Sequence, residues 1–83
     1  MKLTRKNRID GLRIVQELGE VRSEHVGPST SGSHWMAFQD IQKQAEKLGG
    51  DAIVGIKVLI ESVGQEGDFK CTMSGFAVKT EKQ

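Results

Sequence analysis

An apolar side chain occupies every second position from Ala52 to Ile60, without a break. This period of two is typical of a β-strand that buries one face. A second alternating stretch covers Phe69–Thr80, and the glycine-containing segment 63–68 before it is typical of a hairpin loop. We therefore predict two antiparallel strands, Ala52–Ser62 and Phe69–Thr80, and any fold of this chain has to contain that hairpin.

Matching the faces of the two strands predicts their register. The pairing that opposes apolar to apolar positions puts Ile60 opposite Cys71 and Glu61 opposite Lys70. A slip of one residue would pair apolar with polar positions throughout. Extended to the far end of the hairpin without interruption, this register places four large apolar residues on the face opposite to the one a helix would cover: Ile53, Leu59, Phe76 and Val78.

The first half of the chain predicts one more strand and one helix. Arg13–Val26 is compatible with a strand whose alternation breaks at Gly19, which indicates a β-bulge there. A helix is predicted over His34–Leu48, with Ser33 as its N-cap and a glycine pair after its end. Its apolar stripe consists of Trp35, Phe38, Ile41, Ala45 and Leu48.

These elements predict an α+β fold with two layers. The order is β-α-β-β, with an antiparallel three-stranded sheet in the order 1-3-2 and one helix on one of its faces. Residues 1–10 are predicted to be a basic N-terminal tail, and residues 11–83 a single domain. A chain of 83 residues with 36% hydrophobic side chains has a small core, so its stability depends on good packing or on association with other subunits.

The cysteine count and the apolar runs narrow the class of protein. The single cysteine, Cys71, excludes an intrachain disulfide and a cysteine-rich zinc module. We find no apolar run long enough to span a membrane and no apolar segment typical of a secretory signal, so we expect a cytoplasmic protein without a membrane partner.

The positive charges are concentrated at the N-terminus. Residues 1–13 hold five basic side chains against Asp10, while the whole chain has a net charge of +1. We favour a solvated tail over a nucleic-acid contact because no aromatic residue is interleaved with these charges for base stacking. The alternative that stays open is an adaptor that binds nucleic acid or protein through this basic arm.

Several segments resemble the YbjQ-like family. Residues 48–56, LGGDAIVGI, are similar to the family pattern LGADAVVGV, and residues 74–80, SGFAVKT, are similar to its SGTAVK strand. The glycine-containing loop before that strand matches as well, and the resemblance covers residues 12–81. It implies a β-α-β-β domain of the dodecin-subunit type in a ring-shaped homo-oligomer, typically a pentamer, with a family label of heavy-metal binding. The connection between the first strand and the helix is shorter here than in the family pattern.

A metal site would need converging Cys, His, Asp or Glu side chains. His25 and His34 flank the same predicted loop, residues 27–33, and form the candidate pair; the alternative is two unrelated surface histidines. In the predicted register Cys71 is a buried small hydrophobe away from both. We expect no cofactor beyond the heavy metal that the family label names.

The favoured function is a small, non-catalytic, oligomeric binding or scaffold module. The sequence has no Gly-x-Ser-x-Gly nucleophile elbow, and it does not bring a cysteine and a histidine together. The four residues on the uncovered sheet face predict the oligomer interface: Ile53, Leu59, Phe76 and Val78. The alternative is that the N-terminal segment folds back over this patch, for which it offers Leu3 and Ile9.

Overall fold

The computed structural model describes residues 1–28, 30–64 and 67–83, with only the backbone for residues 30 and 31. It has one helix and one four-stranded sheet, and the strands follow the order β1-β3-β4-β2. In the described part of the chain no helix is long and apolar enough to cross a membrane. The elements are β1 (Lys2–Leu3), β2 (Leu12–Gly27), α1 (Thr30–Lys47), β3 (Ala52–Val63) and β4 (Asp68–Lys82).

The α+β class and the order of the three predicted strands are confirmed, but the sheet has a fourth strand. β1 pairs in parallel with β3, so the sheet is mixed and the prediction of a purely antiparallel three-stranded sheet is wrong. The Thr4 N–H donates to the Ile53 carbonyl at 3.0 Å, and the Gly55 N–H donates to the Lys6 carbonyl at 2.8 Å. We call residues 2–9 the N-terminal strap; a strand of two residues is too short to show a period in the sequence.

A bulge interrupts β3. Toward the hairpin loop the predicted register is confirmed, with Ile60 opposite Cys71. Nearer the start of β3, Val54 lies opposite Phe76 and Lys57 lies opposite Ser74, so Gly55 and Ile56 share one partner position, Gly75. Gly55 has a φ of +63°, the left-handed conformation that this type of bulge requires. Before the bulge, every residue of β3 therefore lies one position away from its predicted partner.

The bulge divides the apolar residues between two cores. Ile53 is 0% exposed and belongs to the helix-side core, so its predicted place on an exposed face is wrong. Val78 is also buried, in a second core that it forms with Ala52 and Val54 under the strap. Ile9 packs on this second core, so the strap covers part of the predicted patch. The helix-side core contains Val21, Ala37, Ile41, Ala45, Ile53, Ile56, Cys71, Met73 and Ala77.

The helix begins at Thr30, one turn earlier than predicted, so Ser33 is a buried residue inside the helix and the N-cap prediction is wrong. α1 packs mainly on β2 and β4. Of the four helix residues that are buried among those described, three have small side chains, which let the helix approach the sheet. Trp35 is 62% exposed and Leu48 is also exposed, so the predicted stripe is wrong at both ends. The row that is buried has a spacing of four: Ser33, Ala37, Ile41 and Ala45.

The predicted irregularity of β2 near Gly19 is confirmed, and a second one lies after Ile14.

Side-chain hydrogen bonds hold the sheet in place at two positions. At the outer edge of β2, the Arg22 N–H donates to Gln44 Oε1 at 3.0 Å, and Gln44 Nε2 donates to the Arg22 carbonyl at 2.7 Å. Asp51 accepts hydrogen bonds from both the N–H and the hydroxyl of Thr80 at 3.0 Å.

The close packing over Gly75 predicts the effect of a methyl group there. A Cβ at this position would lie 2.7 Å from Ile53 Cγ2 and 3.2 Å from the Val54 carbonyl oxygen. Overpacking of this kind costs about 1–3 kcal/mol. We expect Gly75→Ala to lower the free energy of unfolding by that amount in urea titrations. Ser74→Ala, at the neighbouring position, is the control, and equal stability of both variants would contradict the packing described here.

Candidate functional site

The polar cluster of this fold lies where the end of β2 passes under α1. Alternate residues of β2 face the helix, and the last two of them are Ser23 and His25. Asp40 of α1 lies above both. The Ser23 hydroxyl donates to Asp40 Oδ2 at 2.6 Å, which satisfies the buried serine and fixes the carboxylate.

His25 has a buried ring nitrogen without a hydrogen-bond partner. Its Nε2 lies 3.7 Å from Asp40 Oδ2, which is beyond hydrogen-bond distance. Within the described residues this atom is buried and has no other donor or acceptor in reach. The rest of the side chain is 29% exposed. Because an unpaired buried polar atom is costly, this nitrogen marks the place where a ligand would contribute most.

Cys71 lies directly across the sheet from His25. The two residues are a cross-strand pair of β2 and β4, and both face the helix. The prediction that Cys71 lies away from both histidines is therefore wrong for His25; the predicted register covered only β3 and β4, and the pairing of β2 with β4 was not predicted. Burial raises the pKa of the Cys71 thiol, so the group is protonated at neutral pH.

A shallow cavity of about 370 Å³ opens beside His25, at the junction of β2 and α1. Its walls come from the end of β2, from the first turn of α1 and from Met36. The cavity connects the exposed edge of the imidazole with solvent. A small ligand can therefore reach the His25 ring without unfolding the helix.

The structure places the two predicted metal ligands against different partners. His25 faces Asp40, whereas the His34 ring packs edge-on against Phe38, with the ring centres 5.0 Å apart. Among the residues described, no group of three Cys, His, Asp or Glu side chains could hold a metal ion.

The other predicted site, the oligomer interface, is only partly exposed. Ile53 and Val78 are buried within this chain, whereas Leu59 is 56% and Phe76 is 50% exposed. Phe76 lines a groove of about 350 Å³ on the face away from the helix, with Glu17 and Glu20 at its rim. This groove is not predictable from the sequence, because it depends on the strap and on the bulges of both neighbouring strands.

The comparisons with known proteins agree on the fold. A family model of the YbjQ family, described as "Putative heavy-metal-binding", matches residues 29–81. A crystal structure of a protein of unknown function from Pediococcus pentosaceus, a member of the DUF74 family, superposes with a TM-score of 0.79. The two chains are 20% identical, and the match covers 98% of each. That neighbour therefore has the same fold without any long additional segment between the first long strand and the helix.

The burial of Cys71 predicts its reactivity. In the folded protein we expect a bulky thiol reagent to label Cys71 at least about a hundredfold more slowly than in urea, because the reagent needs local opening of the core. The matched control carries an exposed thiol, Ser62→Cys in a Cys71→Ala background, and should react at nearly the unfolded rate. Rapid labelling of native Cys71 would contradict its place in the core.

Proposed function

We propose that this chain, which belongs to the YbjQ family, is a non-catalytic homo-oligomeric binding module. The observation that carries the oligomer is a set of exposed apolar side chains on β3 and on the adjacent strand β4. Leu59, Ile60 and Phe76, which we call the β3 surface, are each exposed by 44% or more. Leu59 and Phe76 lie on the face away from the helix, and Ile60 lies on the other face at the outer edge of β3. Exposed apolar side chains on an uncovered sheet face and along its edge are typical of protein–protein interfaces.

The backbone of β3 supports the same surface. The strap pairs with β3 only as far as Ile56. From Lys57 onward no backbone partner lies on the outer side of β3 among the described residues. An open strand edge is prone to pair with another chain. The opposite edge of the sheet is less available, because the side chain of Gln44 already occupies the N–H and the carbonyl of Arg22.

The shape of the subunit also favours association. Its radius of gyration is 13.9 Å, whereas a compact chain of this length has about 12 Å. The longest axis measures 49 Å, and the next is 22 Å. An elongated subunit buries less of its own surface, and burial of one large apolar side chain contributes about 1.5–3 kcal/mol. A second copy that covers the β3 surface would therefore add much to the stability of a small domain.

The assembly we expect is the five-subunit ring that the family resemblance implies. The ligand class we expect is a heavy metal, because the family description names it. We place the protein in the cytoplasm, as predicted from the sequence.

The polar cluster supports a binding role over a catalytic one. Ser23 donates to Asp40 and not to His25, so its hydroxyl lacks the contact with an imidazole that activates a typical serine nucleophile. The raised pKa of Cys71 leaves the thiol protonated and a poor nucleophile. The described residues therefore offer no activated nucleophile in this cluster.

The alternative, an adaptor that acts through the basic segment, stays a prediction. Three basic residues of this segment, Lys2, Lys6 and Arg8, line a concave surface of about 470 Å³. Because the strap is hydrogen-bonded to β3, a partner would meet these charges on a fixed surface and not on a free arm. Binding of an anionic polymer that falls after Lys6→Ala/Arg8→Ala, with an unchanged subunit number, would favour this alternative.

The oligomer can be tested by light scattering at micromolar concentration. We expect the wild type to have several times the 9.1 kDa mass of one chain, and Phe76→Glu and Leu59→Glu to shift it toward the monomer. The physical reason is that a carboxylate buried in an apolar interface is strongly unfavourable.

The matched control is Gln39→Glu, which introduces the same charge at an exposed helix position. It should leave the mass unchanged. A wild type that stays at 9.1 kDa would contradict the oligomer. Variants Phe76→Glu and Leu59→Glu that both remain fully assembled would contradict the β3 surface as the interface.

A further inference from the structure

We infer that the groove beside Phe76 binds a small organic cation, that is, an ammonium group carried on an apolar body such as a phenyl ring. The groove has a volume of about 350 Å³ and lies between β2 and the strap, on the face of the sheet away from the helix. This site is additional to the oligomer and to the heavy-metal ligand of the proposed function. Its test measures the binding of an amine and not the subunit mass, so the two proposals fail separately.

Two irregularities of β2 turn three of its residues toward this groove. Ile14, Glu17 and Glu20 follow one another at a spacing of three, which in a regular strand would alternate between the two faces. The register of β2 on β4 shifts between Ile14 and Gln16 and again between Glu17 and Gly19. Each extra residue exchanges the faces once, so all three side chains line the same groove.

The pairing of β2 with β4 places each carboxylate beside an apolar residue. Glu20 lies opposite Phe76, and Glu17 lies opposite Val78, as direct cross-strand pairs. Side chains paired in this way have Cβ atoms about 5 Å apart on one face of the sheet. A cation above the Phe76 ring is attracted by the ring and also lies within reach of the Glu20 carboxylate. The groove thus offers an aromatic surface and a negative charge at one position.

Neither carboxylate of the groove is neutralised within the described part of the chain. No ion pair there includes Glu17 or Glu20, whereas two other glutamates of the sheet are paired with arginines. Two basic residues of the strap, Lys6 and Arg8, line a separate concave surface. Because two like charges on one face repel each other, a bound cation would relieve this repulsion.

Gly55 lets the strap contribute a polar group to the same place. A Cβ on Gly55 would lie 3.4 Å from Asn7 Oδ1 and 3.4 Å from Phe76 Cδ2. The amide oxygen of Asn7 therefore lies close to the ring, and it offers an ammonium group a further hydrogen-bond acceptor.

The lining determines the class of ligand. Sites for small molecules combine a mostly apolar lining with a few polar groups in a volume of this order. An anion would be repelled by the two carboxylates, and a neutral apolar molecule would leave them without a partner. A metal ion does not fit, because no group of three Cys, His, Asp or Glu side chains among the described residues could hold one. The side chains that would contact the apolar body of the ligand are Ile14, Val54, Phe76 and Val78.

The experiment titrates the full-length protein, labelled at its Ile and Val methyl groups, with phenethylamine, which is a cation at neutral pH. We expect saturable shifts of the methyl resonances of Ile14, Val54 and Val78, which line the groove. Phenethyl alcohol, which is neutral, and hydrocinnamate, which is an anion, carry the same ring. Each should bind at least about tenfold more weakly, because the attraction to two carboxylates is lost.

Variants remove the same attraction from the side of the protein. Glu17→Gln/Glu20→Gln keeps the size of both side chains and should weaken binding of phenethylamine about tenfold. Phe76→Leu keeps an apolar side chain but removes the ring, and should weaken binding about threefold. Glu46→Gln, the same change at an exposed position of the helix, is the matched control and should leave the affinity unchanged. Light scattering verifies that each variant keeps the subunit number of the wild type.

Unchanged affinity in Glu17→Gln/Glu20→Gln would overturn the proposal, and so would equal binding of the three phenyl compounds. A wild type whose groove methyl groups do not respond to phenethylamine would also overturn it. In an assembled protein, that last result would indicate that a second copy of the chain occupies the groove.

Discussion

The two residues of β3 that oppose a single residue of β4 determine how the rest of this molecule packs. Gly55 and Ile56 lie opposite Gly75, and Gly55 takes the left-handed backbone conformation that this type of bulge requires. Because a shift of one residue exchanges the two faces of a strand, Ile53 turns toward α1 and Val54 turns away from it. The start of β3 thus buries residues on both of its faces and needs cover on both.

The strap covers the start of β3 on the face away from the helix, and its cover ends where its pairing with β3 ends. It pairs with β3 up to Ile56, and Ile9 packs on Val54 and Val78. Beyond that point the outer edge of β3 has no backbone partner among the described residues, and Leu59 and Ile60 lie there. The row that joins His25, Cys71 and Ile60 crosses the sheet at this same end. Cys71 is therefore the direct cross-strand neighbour of Ile60, and His25 lies one strand further away.

The sequence predicts the strands, the helix and the pairing of the hairpin near its loop. It does not predict the bulge in β3 or which side of the helix packs on the sheet. The pairing of Ile60 with Cys71 follows from alternation, because a slip there would bury Glu61 or Lys70. The bulge is invisible to the same reasoning, since apolar residues on both sides of Gly55 make either face acceptable as core. The helix shows a similar effect: Trp35 fits the apolar stripe, yet small residues such as Ala37 form the contact because they allow a closer approach to the sheet.

The candidate site could be predicted only in part for the same reason. His25 is found by residue type alone. Its pairing with Cys71 depends on the register between β2 and β4, which the pattern of β2 alone does not determine. Asp40 lies on the polar side of the predicted stripe, and it joins the site because α1 packs over β2 and β4. The residue pattern along β2 or along α1 does not show how these two elements are positioned relative to each other in the fold.

The most direct test of this account is a nuclear Overhauser measurement on methyl-labelled protein, focused on Ile53. The bulge places Ile53 Cγ2 within 2.7 Å of the position where a side chain on Gly75 would begin. We therefore expect strong contacts from the Ile53 methyl groups to the Gly75 α-protons and to residues of the helix-side core such as Ala77. Contacts from Ile53 to Val78 in the strap-side core, in place of these, would mean that β3 has no bulge and would contradict the account.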